Sequence, residues 1–146
     1  MVLQNKMIVT DCCVGGQAMS AEEARDVLVA EHASADNNKR GLVSNAMDQL
    51  WSVGSLCNAA EFDATSKHLP LTIRKIHGDA TDQAILRFAE GLGPVAELKR
   101  CWTAKYNLAF NSKNKFMIRV LGMAQPDGLA MALPDGVASI FEPGDM

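Results

Sequence analysis

The stretch KYNLAFNSKNKFMIRVLGM, Lys105 to Met123, divides two kinds of sequence. Upstream of it, apolar residues recur mostly at helical spacing. From Lys105 onward they fall in short blocks broken by turn residues. The polar island Asn111-Ser-Lys-Asn114 lies between two such blocks. Asn and Ser favour turns, so the pattern predicts a hairpin with strands over Tyr106–Phe110 and Lys115–Met123. A turn accounts for the island. It leaves open why Phe110 stands directly before it and Lys115 directly after.

On the C-terminal side, Pro126-Asp-Gly128 predicts a turn, Leu129–Leu133 a strand, and Pro134-Asp135 the start of a short helix through Phe141. On the N-terminal side the first element is a strand over Met7–Val14, ended by Gly15-Gly16. Ser20-Ala-Glu-Glu23 is a capping box and predicts a helix to about His32, with Ala24, Val27 and Leu28 inward. Ser34–Arg40 is polar and predicts a loop. Val43, Met47, Leu50, Trp51 and Gly54 predict a second helix from Leu42 to Cys57. Leu71, Ile73 and Ile76 do not decide between a strand and irregular chain. Asp79 precedes a third helix with Ala84, Ile85, Phe88 and Ala89 on its apolar face. Gly91-Leu-Gly-Pro94 stops it and opens a fourth, with Val95, Leu98 and Trp102 inward. Helices early and antiparallel strands late make this α+β.

The totals set outer bounds. The chain is 146 residues long, 48% hydrophobic and 21% charged, which suits one globular domain, 1–146. The net charge is −3 and the basic residues are scattered, which argues against a nucleic-acid surface. No apolar run reaches the roughly 18 residues of a membrane span. Cys12, Cys13, Cys57 and Cys101 show no zinc-binding spacing and are expected to be reduced, mostly buried thiols. The phosphate-binding GxxxxGK[ST] and the dinucleotide GxGxxG are both absent. His32, His68 and His77 are isolated, and Glu22-Glu23 is explained by the first turn of a helix. No residue is assigned a catalytic or metal-binding role.

Three strings change the reading. LCNAAEF (Leu56–Phe62), GDATDQAIL (Gly78–Leu86) and AFNSKNKF (Ala109–Phe116) occur in this order. They resemble LCN-x-A-x-F, GD-A-S/T-E-x-A-L and P-F-N-S-x-N-K of the nucleotide-binding domain of P-type cation-transporting ATPases. The sodium and potassium pumps and their fungal and protist relatives are most similar. QNKM (Gln4–Met7) looks like the segment that follows DKTGTLT in those pumps. The resemblance runs from about Gln4 to Val120 and is tightest from Trp51. It implies a twisted antiparallel sheet flanked by helices, on the cytoplasmic face of a membrane and without direct membrane contact. It also implies ATP, as Mg-ATP in the parent pump, as ligand, with the phosphorylation and actuator domains as partners. The phosphorylated aspartate is not in this chain, so the fragment should bind ATP without completing a turnover. Met1 falls inside what should be GTLT, which suits a fragment of a larger pump.

Carried over residue by residue, Phe110 matches the phenylalanine that stacks on adenine; a core Phe on a half-buried strand is the plain alternative. Lys115 matches the lysine that reaches toward phosphates or ribose; otherwise it is a solvated strand-end lysine. Ser112 matches a serine at the pocket rim, or simply favours the turn. Asp82 takes the place of a glutamate that accepts from the adenine amino group, and also suits a helix first turn. Met117 replaces a glutamine of the sodium pumps. The family's K-G-A-P-E finds its best match in Ala132-Leu133-Pro134-Asp135, which lacks the lysine and predicts weakened nucleotide binding. That departure keeps a second reading open: a non-enzymatic interaction or regulatory module with a degenerate pocket.

Overall fold

A computed structural model describes residues 6–33 and 42–124. The polar segment Ser34–Arg40 and the readings made beyond Ala124, including Ala132-Leu133, lie outside the described residues. The chain opens with β1 (Asp11–Val14) and β2 (Gln17–Ser20), an antiparallel pair in which Val14 faces Gln17. The expected strand over Met7–Val14 is thus shorter, and Gly15-Gly16 joins two strands rather than ending one. Both glycines have positive φ, 59° and 81°. The type I′ hairpin turn, which matches strand twist, needs this conformation at both positions.

Helix α1 (Ala21–Ala33) starts where the capping box places it. The Glu23 N–H donates to Ser20 Oγ at 3.2 Å, and the Ser20 N–H donates back to Glu23 Oε2 at 2.8 Å. Helix α2 (Leu42–Leu56) ends one residue before the expected Cys57, and its Leu50 is exposed while Ser55 is buried. Helix α3 (Ala80–Leu92) is capped by Asp79, whose carboxylate accepts from the Asp82 N–H at 2.9 Å. Helix α4 (Val95–Cys101) follows Pro94 and buries Val95 and Leu98. Trp102, expected inward on this helix, instead begins a strand.

Between α2 and α3 lie β3 (Glu61–Phe62) and β4 (Ile76–His77), an antiparallel pair. Two 3-10 turns, Ala64–Ser66 and Leu71–Ile73, separate them. The chain then forms β5 (Trp102–Leu108) and β6 (Ile118–Met123), paired antiparallel with an irregularity between Ala104 and Tyr106. The fold is therefore α+β, and the described strands form three two-stranded antiparallel ladders. Among the described residues, no helix is long and apolar enough to cross a membrane.

The core has two parts. Val14, Ala24, Leu28, Met47 and Leu92 pack where the first hairpin meets α1, α2 and α3. Ala60, Ile76, Leu86, Ala89 and Val95 pack between α3, β4 and α4. Trp51 borders both. Because α3 serves both clusters, its buried stripe is wider than one amphipathic face: Leu86 and Leu92 join Ala84 and Ala89, while Ile85 and Phe88 are half-buried.

The cysteines are free, but none is fully buried, and Cys13 is exposed. Successive strand residues face opposite ways, so the two-stranded β1–β2 ribbon gives Cys12 to the core side and Cys13 to water. Burial, then the neighbouring Cys13 and Asp11 charges, pushes the Cys12 thiol pKa up.

Two outcomes test this description. At Gly78, φ is +134°, and an added Cβ would stand 2.8 Å from Ala60 Cβ and 2.9 Å from Ala60 Cα. Gly16→Ala meets nothing within 4 Å, so it costs only the left-handed penalty of about 1–2 kcal/mol. Gly78→Ala adds overpacking of about 1–3 kcal/mol and should show a clearly lower urea midpoint than Gly16→Ala. Asp63 accepts from the Thr65 hydroxyl and N–H at 2.5 and 2.8 Å and pairs with His77 Nε2 at 3.0 Å. The Thr65 bonds first, then His77, hold its pKa at about 2 against an ordinary 3.8. Its folded pKa lies below its unfolded one, so its stabilisation is present above the ordinary value and is lost as pH falls toward 2. Asp63→Asn should flatten the stability profile over that acid window.

Candidate functional site

The residues singled out in sequence sit on two elements. Phe110, Ser112 and Lys115 lie in the loop joining β5 to β6, and Asp82 lies in the first turn of α3. Neither Phe110 nor Lys115 is a strand end, as the hairpin pattern had suggested. The ladder stops at Leu108↔Ile118. The reason is Asn111: its carboxamide oxygen accepts from the N–H groups of Lys113 and Asn114 at 3.1 and 2.8 Å. Its main-chain carbonyl accepts from the Lys115 N–H at 2.9 Å. Asn side chains commonly build this local turn, and it draws these groups away from a ladder.

Phe110 is 59% exposed, so its ring is not a core contact. Lys115 has φ of +62° and is the one non-glycine with positive φ among the described residues. For a side chain with no local reason to favour it, that conformation costs on the order of 1–3 kcal/mol. Ser112 is exposed, and its hydroxyl makes no hydrogen bond among the described residues. Met117, on the same loop, is half-buried.

Asp82 is half-buried and already holds the fold together. Its Oδ2 accepts from the Ala59 N–H at 3.2 Å, while its main-chain carbonyl accepts from Asn58 Nδ2 at 3.0 Å. Oδ1 points to no partner among the described residues and remains available as an acceptor. No hydrogen bond joins Asp82 directly to the β5–β6 loop among the described residues.

The connection runs through residues that sequence reasoning passed over. Asn58 is 2% exposed, and its amide also donates to Gly54 O at 3.2 Å while Oδ1 accepts from the Ala60 N–H at 2.8 Å. Arg119, on β6, donates to the carbonyls of Leu56 and Asn58 at 2.8 and 3.3 Å. The hairpin is thereby fastened to the segment that also positions Asp82. One signal was visible: a single arginine within the apolar run Met117–Val120 has to find acceptors if its strand is even partly covered.

A cavity of about 440 Å³ lies elsewhere, and none of the four candidate residues lines it. Among the described residues there is no group of His, Cys, Asp and Glu placed to hold a metal ion.

Comparison with known proteins bears on the same elements. The family model described as the P-type ATPase cytoplasmic domain N matches residues 46–133, more than half of the chain. The sodium/potassium-transporting ATPase subunit alpha-A of Artemia franciscana is 30% identical over 140 residues, 95% of this chain and 13% of that protein. The human potassium-transporting ATPase alpha chain 2 is 30% identical over 128 residues, 86% of this chain and 11% of that protein. The rat sodium/potassium-transporting ATPase subunit alpha-4 is 35% identical over 100 residues, 65% of this chain and 10% of that protein. The chain thus spans little more than a tenth of the length of these relatives.

Arg119→Met keeps the apolar stem and removes the donors. It should lower stability by roughly 1.5–3 kcal/mol, the scale for hydrogen bonds from a charged group. Amide exchange should quicken in β5 and β6 more than in α3. Equal loss of protection in all three would contradict a fastening role.

Proposed function

Since the chain belongs to the P-type ATPase family as a cytoplasmic N domain, we propose that it holds the adenosine part of ATP on the β5–β6 loop and presents the phosphates outward. The parent protein's phosphorylation domain would receive the γ-phosphate on an aspartate, and its actuator domain would serve the later steps. The observation that carries the proposal is the pairing of an exposed ring, Phe110, with a lysine held in a strained backbone conformation on a loop organised by Asn111. Strain of this kind persists where the surroundings impose it, and it concentrates at ligand sites.

Each group has a physical task. The Phe110 face stacks on the base. The Lys115 ammonium meets phosphate as a compact charge. Asp82 Oδ1 accepts from the adenine amino group while Oδ2 stays on Ala59, and the Ser112 hydroxyl adds a donor at the rim. Mg²⁺ comes with the nucleotide, on phosphate oxygens.

A second reading, the interaction module with a degenerate pocket, is favoured by one feature. Ala132-Leu133-Pro134-Asp135, matched to the family's K-G-A-P-E, lacks the lysine and has Leu133 where a small residue is expected, which removes a charge from the pocket and adds bulk.

Titrating ATP while following backbone amide resonances separates the two. The nucleotide-binding reading expects saturable shifts in the Phe110–Lys115 loop and in the first turn of α3 at millimolar ATP. Phe110→Ala should then weaken binding roughly tenfold or more, the value of a base–aromatic stack. Lys115→Gly relieves the positive φ and should leave the urea midpoint unchanged or higher while ATP affinity falls. No response to ATP in the unmodified chain would leave only the module.

A further inference from the structure

The cavity on the far side of α3 has a composition that asks for a ligand. Its wall is formed by the chain around Lys6 and Met7, by the segment from Ile73 to Ile76, and by α3. Ala80, Gln83 and Arg87 recur at helical spacing along the side of α3 that faces it. Asp82, one residue from Gln83, instead engages Ala59. The cavity and the nucleotide loop therefore share no residue.

Positive charge gathers here without a matching acid. Arg87 donates to the carbonyls of Leu71 and Arg74, and Lys6 Nζ donates to the carbonyl of Thr72 at 2.6 Å. These acceptors are neutral, so they satisfy geometry and leave both charges standing. Lys75 adds a third cation. Arg74 also lines the space, but its guanidinium is paired with Glu90 at 3.1 Å. None of the described lining residues is acidic. Partial burial first, and then the charge of Arg87, push the Lys6 pKa down, as expected where cations crowd. Met7 and Ile73, both exposed, supply an apolar wall beside them.

We propose that this cavity binds a small phosphate ester with an apolar or ring-like body, the phosphate set against Lys6, Lys75 and Arg87 and the body against Met7 and Ile73. The volume, about 440 Å³, is within the range of small-molecule sites. Arg87 keeps donors beyond the two it spends on carbonyls, and Lys6 keeps two of its three. The Gln83 amide, which donates to the Gly78 carbonyl at 2.7 Å, retains an oxygen and a second N–H for the body of the ligand. The proposal does not depend on the nucleotide loop.

Phenyl phosphate and inorganic phosphate are the probes, titrated against the amide resonances of the full chain. Phenyl phosphate should shift residues 6–7, 73–76 and 83 saturably and bind more tightly than inorganic phosphate, because only the ester can use the apolar wall. Lys75→Gln, at an exposed side chain, should weaken it several-fold. Lys6→Gln combined with Lys75→Gln should weaken it at least tenfold with the spectrum still dispersed. Phe110→Ala should leave the phenyl phosphate shifts at residues 6–7, 73–76 and 83 in place even though it weakens ATP binding at the loop. Arg87 is left intact because it secures the chain from Leu71 to Arg74. Shifts confined to the Phe110–Lys115 loop, equal affinity for the two probes, no saturable response at millimolar ester, or an affinity unmoved by Lys75→Gln would each overturn the site. Failure of ATP to bind the loop would not touch it.

Discussion

The Asn58 carboxamide is the constraint on which the architecture turns. It is buried, and it serves Gly54 at the end of α2, Asp82 at the start of α3 and Ala60 at the entry to β3. These three segments leave the junction in different directions; Gly54, in the last turn of α2, and Ala60 would otherwise bring an unpaired main-chain group to it. A buried donor or acceptor without a partner costs about 1–3 kcal/mol, so one side chain that satisfies two and also ties in the start of α3 does more for the fold than an apolar residue could. An isosteric Asp would keep the bond from Ala60 and lose both donors. An apolar residue would lose all three.

Arg119 extends that junction to the hairpin. The β5–β6 ribbon is long for two strands, and Tyr106, Ile118 and Val120 are all exposed. An isolated hairpin is marginal in water, so its attachment has to come from a few strong contacts rather than from a broad buried face. The continuity of α4 into β5 supplies one, and the guanidinium on the Leu56 and Asn58 carbonyls supplies another. The outcome is a loop carried on a ribbon but referenced to the helical core, which suits a surface that must keep its shape while staying open to solvent.

Local chemistry was the part of this structure most easily read in sequence. The Ser20–Glu23 box, the Asp79 cap and the Gly-Pro break before α4 each bring their partners within a few residues, and each appears where it was expected. The β2 strand was missed because Gln17-Ala-Met-Ser20 has no pattern of its own and forms only by pairing with β1. The burial of Ser55 and the exposure of Leu50 depend on where α3 crosses α2, which no period within α2 encodes. The order of the three family strings directed attention to the loop and the first turn of α3 as candidates. It did not assign work to the asparagine in LCNAAEF, because that work is tertiary: its partners lie on both sides of the 60–77 excursion. Lys115 was selected as a residue, yet its positive φ follows from Asn111 collecting two N–H groups ahead of it.

Helix α3 then separates two electrostatic regimes. Toward the hairpin it presents Asp82, with one carboxylate oxygen committed to Ala59. Toward the cavity it presents Arg87, whose hydrogen bonds go to neutral carbonyls. A helix dipole cannot produce this division, because it acts along the axis and not across it. Side-chain placement does, and the chain's net charge of −3 conceals it. A carboxylate beside Arg87 would have stabilised the cavity wall more directly than main-chain oxygens do. Bonds to carbonyls hold the guanidinium in place, as those of Arg119 do at the hairpin, and they leave its charge unpaired beside the cavity.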